Sequence, residues 1–265
     1  MMVRHPVLTI AGSDSSGGAG VQADLKTITM LGGYGMSAIT ALTAQNTVSV
    51  RGIHAVPADF LQQQIEAVCD DILPLAVKIG MVYDVPQIHV IAQAIQKYQL
   101  RHVVVDPVMV ATSGDALLKE QAQTALQEEL MPLAELITPN LPEAQRLTGL
   151  KIASPVQMEQ AAAELSAQYR TAILLKGGHC DGVCNDLLYV SGECIWIPGQ
   201  HLETKNTHGT GCTLSSAIAV FLAQGFTMTD SVRRAKNYIT HAIQAGLSLG
   251  HGHGPIAHNY ALHEQ

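Results

Sequence analysis

Short apolar runs that stop at a glycine or a carboxylate recur through the first two thirds of the chain, with stretches of helical spacing between them. Residues 7–11, 76–81, 102–107, 136–138 and 171–178 are such runs; residues 36–46 form a weaker one, whose alanines and threonines leave a helix open. A continuous apolar run fits a strand buried on both faces, and that requires helices on both sides of a parallel sheet. The helical spacings begin with Val21, Leu25 and Ile28 and continue at 57–70, 87–98, 119–129 and 155–168, with a short helix opened by Pro142. Residues 185–190 and 194–198, parted by Ser191, Gly192 and Glu193, read as a hairpin on a sheet edge. Two helices, 211–224 and 230–247, close the pattern. The alternation, unbroken by any linker-like composition, predicts one α/β domain over 1–265, a three-layer α/β/α sandwich with a mostly parallel central sheet. An eight-unit β/α barrel is also parallel, but the late hairpin and the paired closing helices count against it.

Composition narrows the partners. Fifteen Lys and Arg against 22 Asp and Glu give a net charge of −7 with no basic run, which excludes nucleic acid and anionic membrane as general partners. Any phosphate must then be met by local cations. Five cysteines, an odd number, behind an N-terminus with neither a basic segment nor a long apolar one, point to a reducing cytoplasm. No apolar stretch is long enough to span a bilayer. Only 14% of residues are charged, which suits a large covered sheet and leaves room for a subunit interface.

Two loops carry chemistry. Residues 206–217 read Asn-Thr-His-Gly-Thr-Gly-Cys-Thr-Leu-Ser-Ser-Ala, a glycine turn feeding an apolar helix that starts near Gly211 or Cys212. The first N–H groups of a helix lack internal partners and carry the positive end of its dipole, so this turn should hold an anion. Cys212 there should have a lowered pKa and is a candidate base or nucleophile; a small cysteine buried at a helix start is the plainer reading. Residues 12–20 form a second glycine loop after a strand. It matches neither a dinucleotide fingerprint nor a P-loop. Asp24 falls in the first turn of the helix that follows, to complement the dipole or to hold a polar substrate group.

In a parallel sheet the loops at 12–20, Gln45, Met81, Asp106, 140–143, Lys176 and 209–212 share one edge. Asp106 and Glu143 are then candidate Mg²⁺ ligands, Lys176 a phosphate contact and the 209–212 turn a seat for a phosphoryl group. Plainer roles stand beside these: Asp106 capping a turn before Pro107, and Lys78 and Lys176 as strand-end lysines reaching solvent. Cys180 and Cys184, next to His179, lack C-x-x-C spacing and a second ligand pair, which argues against zinc. His251, His253 and His258 lie in a glycine-rich tail.

Taken in order, residues 11–27 (Ala-Gly-Ser-Asp-Ser-Ser-Gly-Gly-Ala-Gly-Val-Gln-Ala-Asp-Leu-Lys-Thr), 43–47 (Thr-Ala-Gln-Asn-Thr), 78–81 (Lys-Ile-Gly-Met), 138–144 (Thr-Pro-Asn-Leu-Pro-Glu-Ala), 175–179 (Leu-Lys-Gly-Gly-His), 206–214 and 251–255 (His-Gly-His-Gly-Pro) span nearly the whole chain. The set resembles the ribokinase-like superfamily and, within it, the hydroxymethylpyrimidine and phosphomethylpyrimidine kinases of thiamine biosynthesis. The resemblance implies ATP- and Mg²⁺-dependent phosphorylation of 4-amino-5-hydroxymethyl-2-methylpyrimidine and then of its monophosphate, in one site. By matching positions, Asp24, Gln45 and Met81, with Gly12 and Ala19, line the pyrimidine pocket. Asp106, Asn140 and Glu143 fall on the metal and phosphate side, Lys176 and Thr210 beside the nucleotide phosphates, and Lys236 near the nucleotide. Gly209, Thr210 and Gly211 form the anion hole, with Cys212 where many superfamily members carry a basic Asp. The tail closes over the nucleotide site, and a homodimer is expected. Pyridoxine or pyridoxal kinase is the nearest rival, a sugar or nucleoside kinase fits Cys212 less well, and a silent nucleotide- or vitamer-binding regulator is the rival of another class.

Overall fold

A computed structural model of the chain describes residues 5–109, 120–177 and 185–262. The apolar runs pair into one nine-stranded sheet in the order β3-β2-β1-β4-β5-β6-β7-β8-β9. These are β1 (His5–Asp14), β2 (Gly33–Gln45), β3 (Val50–Ala55), β4 (Ala76–Ile79), β5 (Val103–Val105), β6 (Leu136–Ile137), β7 (Ala172–Leu175), β8 (Asp186–Val190) and β9 (Glu193–Ile197). From β2 to β7 neighbouring strands run parallel; β3 at one edge and the β8–β9 hairpin at the other are antiparallel. β3 was not among the expected strands: its six residues lie half or fully exposed on the edge, so they carry no apolar run to read.

Helices cover both faces. On one side α2 (Ala58–Cys69), α3 (Val85–Tyr98), α4 (Glu120–Ala125), α5 (Leu141–Thr148) and α6 (Pro155–Tyr169) pack an apolar layer around Leu8, Ile10, Val105 and Ile137. On the other, α1 (Gly20–Met30), α7 (Thr210–Ala223) and α8 (Met228–Ala245) close over Val7, Val104, Leu136 and Leu174. Alternate residues of β5 thus feed opposite layers, the period-two signature of a strand buried on both faces. The three-layer sandwich expected from the sequence is the one observed. The helix expected at 119–129 starts outside the described residues and is less regular, since α4 passes into a π turn at Leu126–Leu130 and a 3₁₀ turn at Met131–Leu133.

The chain leaves β1 to build β2 on one side and later returns to set β4 on the other. That reversal opens a crevice beyond the carboxyl ends of β1 and β4, where open α/β sheets bind ligands. Among the described residues no helix is long and apolar enough to cross a membrane.

Candidate active site

The two glycine loops meet face to face above that crevice. Asp14, the last residue of β1, accepts the N–H groups of Ser16 (2.8 Å), Gly18 (3.1 Å) and Ala19 (2.8 Å), and His208 Nε2 lies 2.8 Å from its Oδ2. Burial opposes its charge, but the bonds from His208, Ser16 and Ala19 prevail and hold the carboxyl down at about 2. Gly209, at φ +81°, packs its α-carbon against Gly18 so closely that a methyl there would run into the Gly18 carbonyl oxygen. A left-handed glycine is what permits the approach. Gly12 faces Met81, whose Sδ would lie 3.0 Å from a Cβ at that position. Gln45 receives the Thr43 hydroxyl on Oε1 (3.2 Å), and its Nε2 lies 3.5 Å from His208 Nε2. Gly12 and Met81 are thus in contact, while Ala19 and Gln45 meet the Asp14 and His208 pair.

Beneath the loops, Asp24 is fully buried and accepts Lys78 Nζ on both oxygens (2.9 Å each), Thr9 Oγ1 (2.6 Å) and Ser216 Oγ (2.7 Å). Two sequence expectations are corrected. Asp24 lies in the second turn of α1, without access to a ligand, and Lys78 reaches a carboxylate in the core rather than solvent. Burial alone would lower the Lys78 pKa, yet the Asp24 charge raises it above the ordinary lysine value. The Cys212 expectation also fails in sign. α7 starts at Thr210, one residue earlier than expected, with Gly209 as its cap. Desolvation pushes the Cys212 thiol up to about 11; the Lys78 ammonium works in the opposite direction, and the Asp24 and Asp106 carboxylates add to the rise. At neutral pH this thiol is protonated.

The other end of the crevice is ionic. Asp106, the residue that follows β5, accepts Lys176 Nζ (2.9 Å) and the Thr138 hydroxyl (3.1 Å) on Oδ1. Gly211 lies directly against this pair: a Cβ on it would stand 3.2 Å from Asp106 Oδ2 and 3.4 Å from Lys176 Nζ. Asn140 and Glu143 form a capping box on α5, with Asn140 Oδ1 accepting the Glu143 N–H and Glu143 Oε2 accepting the Asn140 N–H, each at 2.8 Å. Burial drives the Glu143 pKa to about 7; Lys176 pulls it down and Asp106 pushes it up. Asn140 also bridges to Lys176. Lys236 Nζ donates to Asp186 Oδ2 (2.6 Å), and Asp186 Oδ1 accepts the Gly177 N–H (3.0 Å), which ties α8 to the loop after Lys176.

A site with an anion-seeking helix start, a half-buried lysine and buried carboxylates at one end and two facing glycine loops at the other suits transfer of a phosphoryl group to a small polar molecule. A family model described as phosphomethylpyrimidine kinase matches residues 14–257. The chain belongs to the phosphomethylpyrimidine kinase family. A hydroxymethylpyrimidine/phosphomethylpyrimidine kinase of Rhizobium meliloti is 49% identical over 95% of this chain and 96% of the relative. The thiamine biosynthesis bifunctional protein ThiED of Geobacter sulfurreducens is 50% identical over 98% of the chain, which spans only 54% of that protein. Among solved structures, a pyridoxal kinase of Bacillus subtilis in an ADP complex matches with a TM-score of 0.91 at 36% identity, covering 98% of this chain and 99% of the other. The fold is ribokinase-like and the protein is a phosphotransferase.

Against the phosphomethylpyrimidine kinase pattern, three residues stand out that the sequence did not single out for a role: Asp14, His208 and Ser216. Asp14 and His208 lie inside motif blocks and Ser216 two residues past one, but their signal is a pairing across more than 190 residues, Asp14 with His208 and Asp24 with Ser216, which spacing cannot reveal. The tail also differs from expectation. His251 and Gly252 donate N–H groups to Thr47 Oγ1 (3.2 Å each), His253 N–H bonds Thr47 O (3.0 Å) and Gly254 O accepts the His208 N–H (3.1 Å). It straps the Gln45 end of the crevice. His258 is buried, its Nε2 2.9 Å from the Thr213 hydroxyl, and so stands apart from His251 and His253. His179, Cys180 and Cys184 lie outside the described residues.

Proposed function

We propose that this phosphotransferase moves the γ-phosphoryl group of ATP onto the hydroxymethyl oxygen of 4-amino-5-hydroxymethyl-2-methylpyrimidine, and then onto the resulting monophosphate, to make the diphosphate used for thiamine. The observation that carries the reading is the family match over 14–257, together with full-length relatives bearing that name. The pyrimidine ring lies against Gly12, Ala19 and Met81, and the Gln45 amide, which both donates and accepts, reads its ring nitrogen and amino group. Asp24 acts from below, by holding Lys78 and Ser216.

At the ionic end, Lys176 and the N–H groups at the start of α7 hold the phosphoryl oxygens; the Gly211 N–H points there, the Thr210 N–H turns from Thr207 O (3.3 Å) to the ligand, and Gly209 fixes the turn. Lys236, through Asp186 and Gly177, steadies the loop that carries Lys176 on the nucleotide side. Asp106 and Glu143 face Lys176 with one more carboxylate than ammonium, and burial, with the Asp106 charge behind it, raises the Glu143 pKa, so a cation beside the two would favour the Glu143 carboxylate. These residues fit Mg²⁺, which takes one or two carboxylates and completes its shell with phosphates and water. When bound, Mg²⁺ supplies charge neutralisation for the transferring group. Asn140 keeps Glu143 aimed by the capping box. Burial keeps the Cys212 thiol protonated, so its role is to hydrogen-bond the reacting hydroxyl; the hydroxyl proton passes to a phosphoryl oxygen as the new O–P bond forms and the bond to the ADP oxygen breaks, and charge stabilisation and alignment carry the transfer. The protein works in the cytoplasm as a homodimer.

Turnover with Mg²⁺ and ATP, followed by mass spectrometry on hydroxymethylpyrimidine, its monophosphate, pyridoxine, pyridoxal and ribose, tests the assignment. Both pyrimidine species should be phosphorylated. Turnover of pyridoxal vitamers alone would move the function to vitamin B6 salvage, the reading favoured by the structural match to a pyridoxal kinase, and no turnover would leave a silent binder.

A further inference from the structure

At the opposite edge of the sheet, where β5, β6 and β7 begin, lies a cavity of about 720 Å³ that none of the chemistry above uses. Its size falls in the range of small-molecule sites, roughly 300 to 1,000 Å³. Arg101, two residues before β5, and Arg170, two residues before β7, both line it. Strands two places apart are separated by roughly 10 Å, so two arginine side chains from these positions can reach one central anion. Neither guanidinium has an ion pair or hydrogen bond among the described residues. In a chain of net charge −7 with 15 Lys and Arg, two unpaired guanidinium groups in one concavity are a concentrated positive feature.

A second observation points to a ligand. Thr171 is 8% exposed and lines the cavity, and its Oγ1 is a buried polar atom with no hydrogen-bond partner. A buried hydroxyl left unsatisfied is unfavourable, and a rotation of the side chain that turns it to an acceptor in the cavity removes that cost. Leu133 and Met228 give the cavity an apolar side. The one carboxylate on its wall, Glu135, is engaged by His102 Nδ1 at 2.9 Å. We propose that this cavity binds a small organic phosphate monoester, the phosphate between Arg101 and Arg170 with an oxygen toward Thr171, and the organic part against Leu133 and Met228. Paired guanidinium groups match the planar forks of phosphate oxygens. The site is distinct from the catalytic edge: β7 carries Thr171 before its first residue and Lys176 after its last.

Phenyl phosphate is the probe, titrated by calorimetry into the full chain and into three variants. The Arg101→Ala/Arg170→Ala double variant should bind at least about tenfold more weakly, the loss of roughly 1.4 kcal/mol or more. Thr171→Val should also weaken binding while leaving the ligand-free melting temperature unchanged or higher, because it deletes an unpaired polar atom. Lys176→Ala should leave the affinity as it is. Kinase turnover of the double variant should equal that of the parent, which shows that it folds. Inorganic phosphate should bind more weakly than phenyl phosphate, and benzoate more weakly still. The proposal is overturned by unchanged affinity in the double variant, by loss of binding in Lys176→Ala, by benzoate binding as tightly as phenyl phosphate, or by no saturable binding at millimolar concentration.

Discussion

Gly209 and Cys212 sit three residues apart and demand different tests. Gly209 is left-handed and its α-carbon is pressed on the Gly18 carbonyl, so Gly209→Ala strains the turn and pushes the two loops apart. A shift of about 1 Å at a reacting centre costs on the order of 10²-fold, and kcat/KM of Gly209→Ala should fall at least that far with the fold, read by circular dichroism, intact. Cys212 should behave more mildly. A true base is worth about 10²- to 10⁴-fold, so with a protonated thiol Cys212→Ala should lose less than about 10²-fold in kcat, and Cys212→Ser less again. The kcat profile should carry no thiol ionisation below pH 9; a limb that vanishes in Cys212→Ala would restore the base. The sequence revealed that a cysteine begins the helix but not what surrounds it. A helix N-terminus favours thiolate; burial among the neighbours brought there by the fold runs against it, and the Asp24 and Asp106 charges add to that opposition.

Among the elements, α1, β4 and α7 are locked by the Asp24, Lys78 and Ser216 cluster. Removing one partner strands the other charge in the core, at a cost of about 3 to 5 kcal/mol. Lys78→Met should therefore lower the denaturation midpoint severely, and Asp24→Leu/Lys78→Met together should recover much of that loss; equal damage in the single and double variants would show that packing, not charge, is at stake. The parallel strands and their helices were legible because apolar runs and 3.6-residue spacing arise from burial, which the sequence records directly. β3 was not, since an exposed edge strand has no burial pattern; the π turn after α4 packs against α3, and Pro132 sits in the 3₁₀ turn that ends the segment. For the same reason the loops along the catalytic edge could be grouped in advance from strand direction alone, whereas the Asp24 side chain, placed by α-helical register against β4, could not.

Across the whole molecule, acid sensitivity should centre on His258, which joins the tail to α7 and α8 through Thr213 and Tyr238. Burial, aided by Lys26, lowers its pKa from 6.5 to about 4. The unfolded chain therefore takes up this proton first, and stability should be full above pH 6.5 and decline as pH falls toward 4. At about 1.4 kcal/mol per pKa unit the decline approaches 3 kcal/mol. Melting temperatures of the parent and of His258→Gln between pH 7 and pH 4 check this: the variant should lose less, and parallel curves would assign the acid sensitivity elsewhere.

The pairing of Asp14 with His208 bridges 194 residues. A ribosome adding about 5 to 20 residues per second needs roughly 10 to 40 seconds to pass from one to the other. Through that interval the nascent chain carries its first glycine loop without the partner that completes it, and the site cannot close until residue 208 has been made.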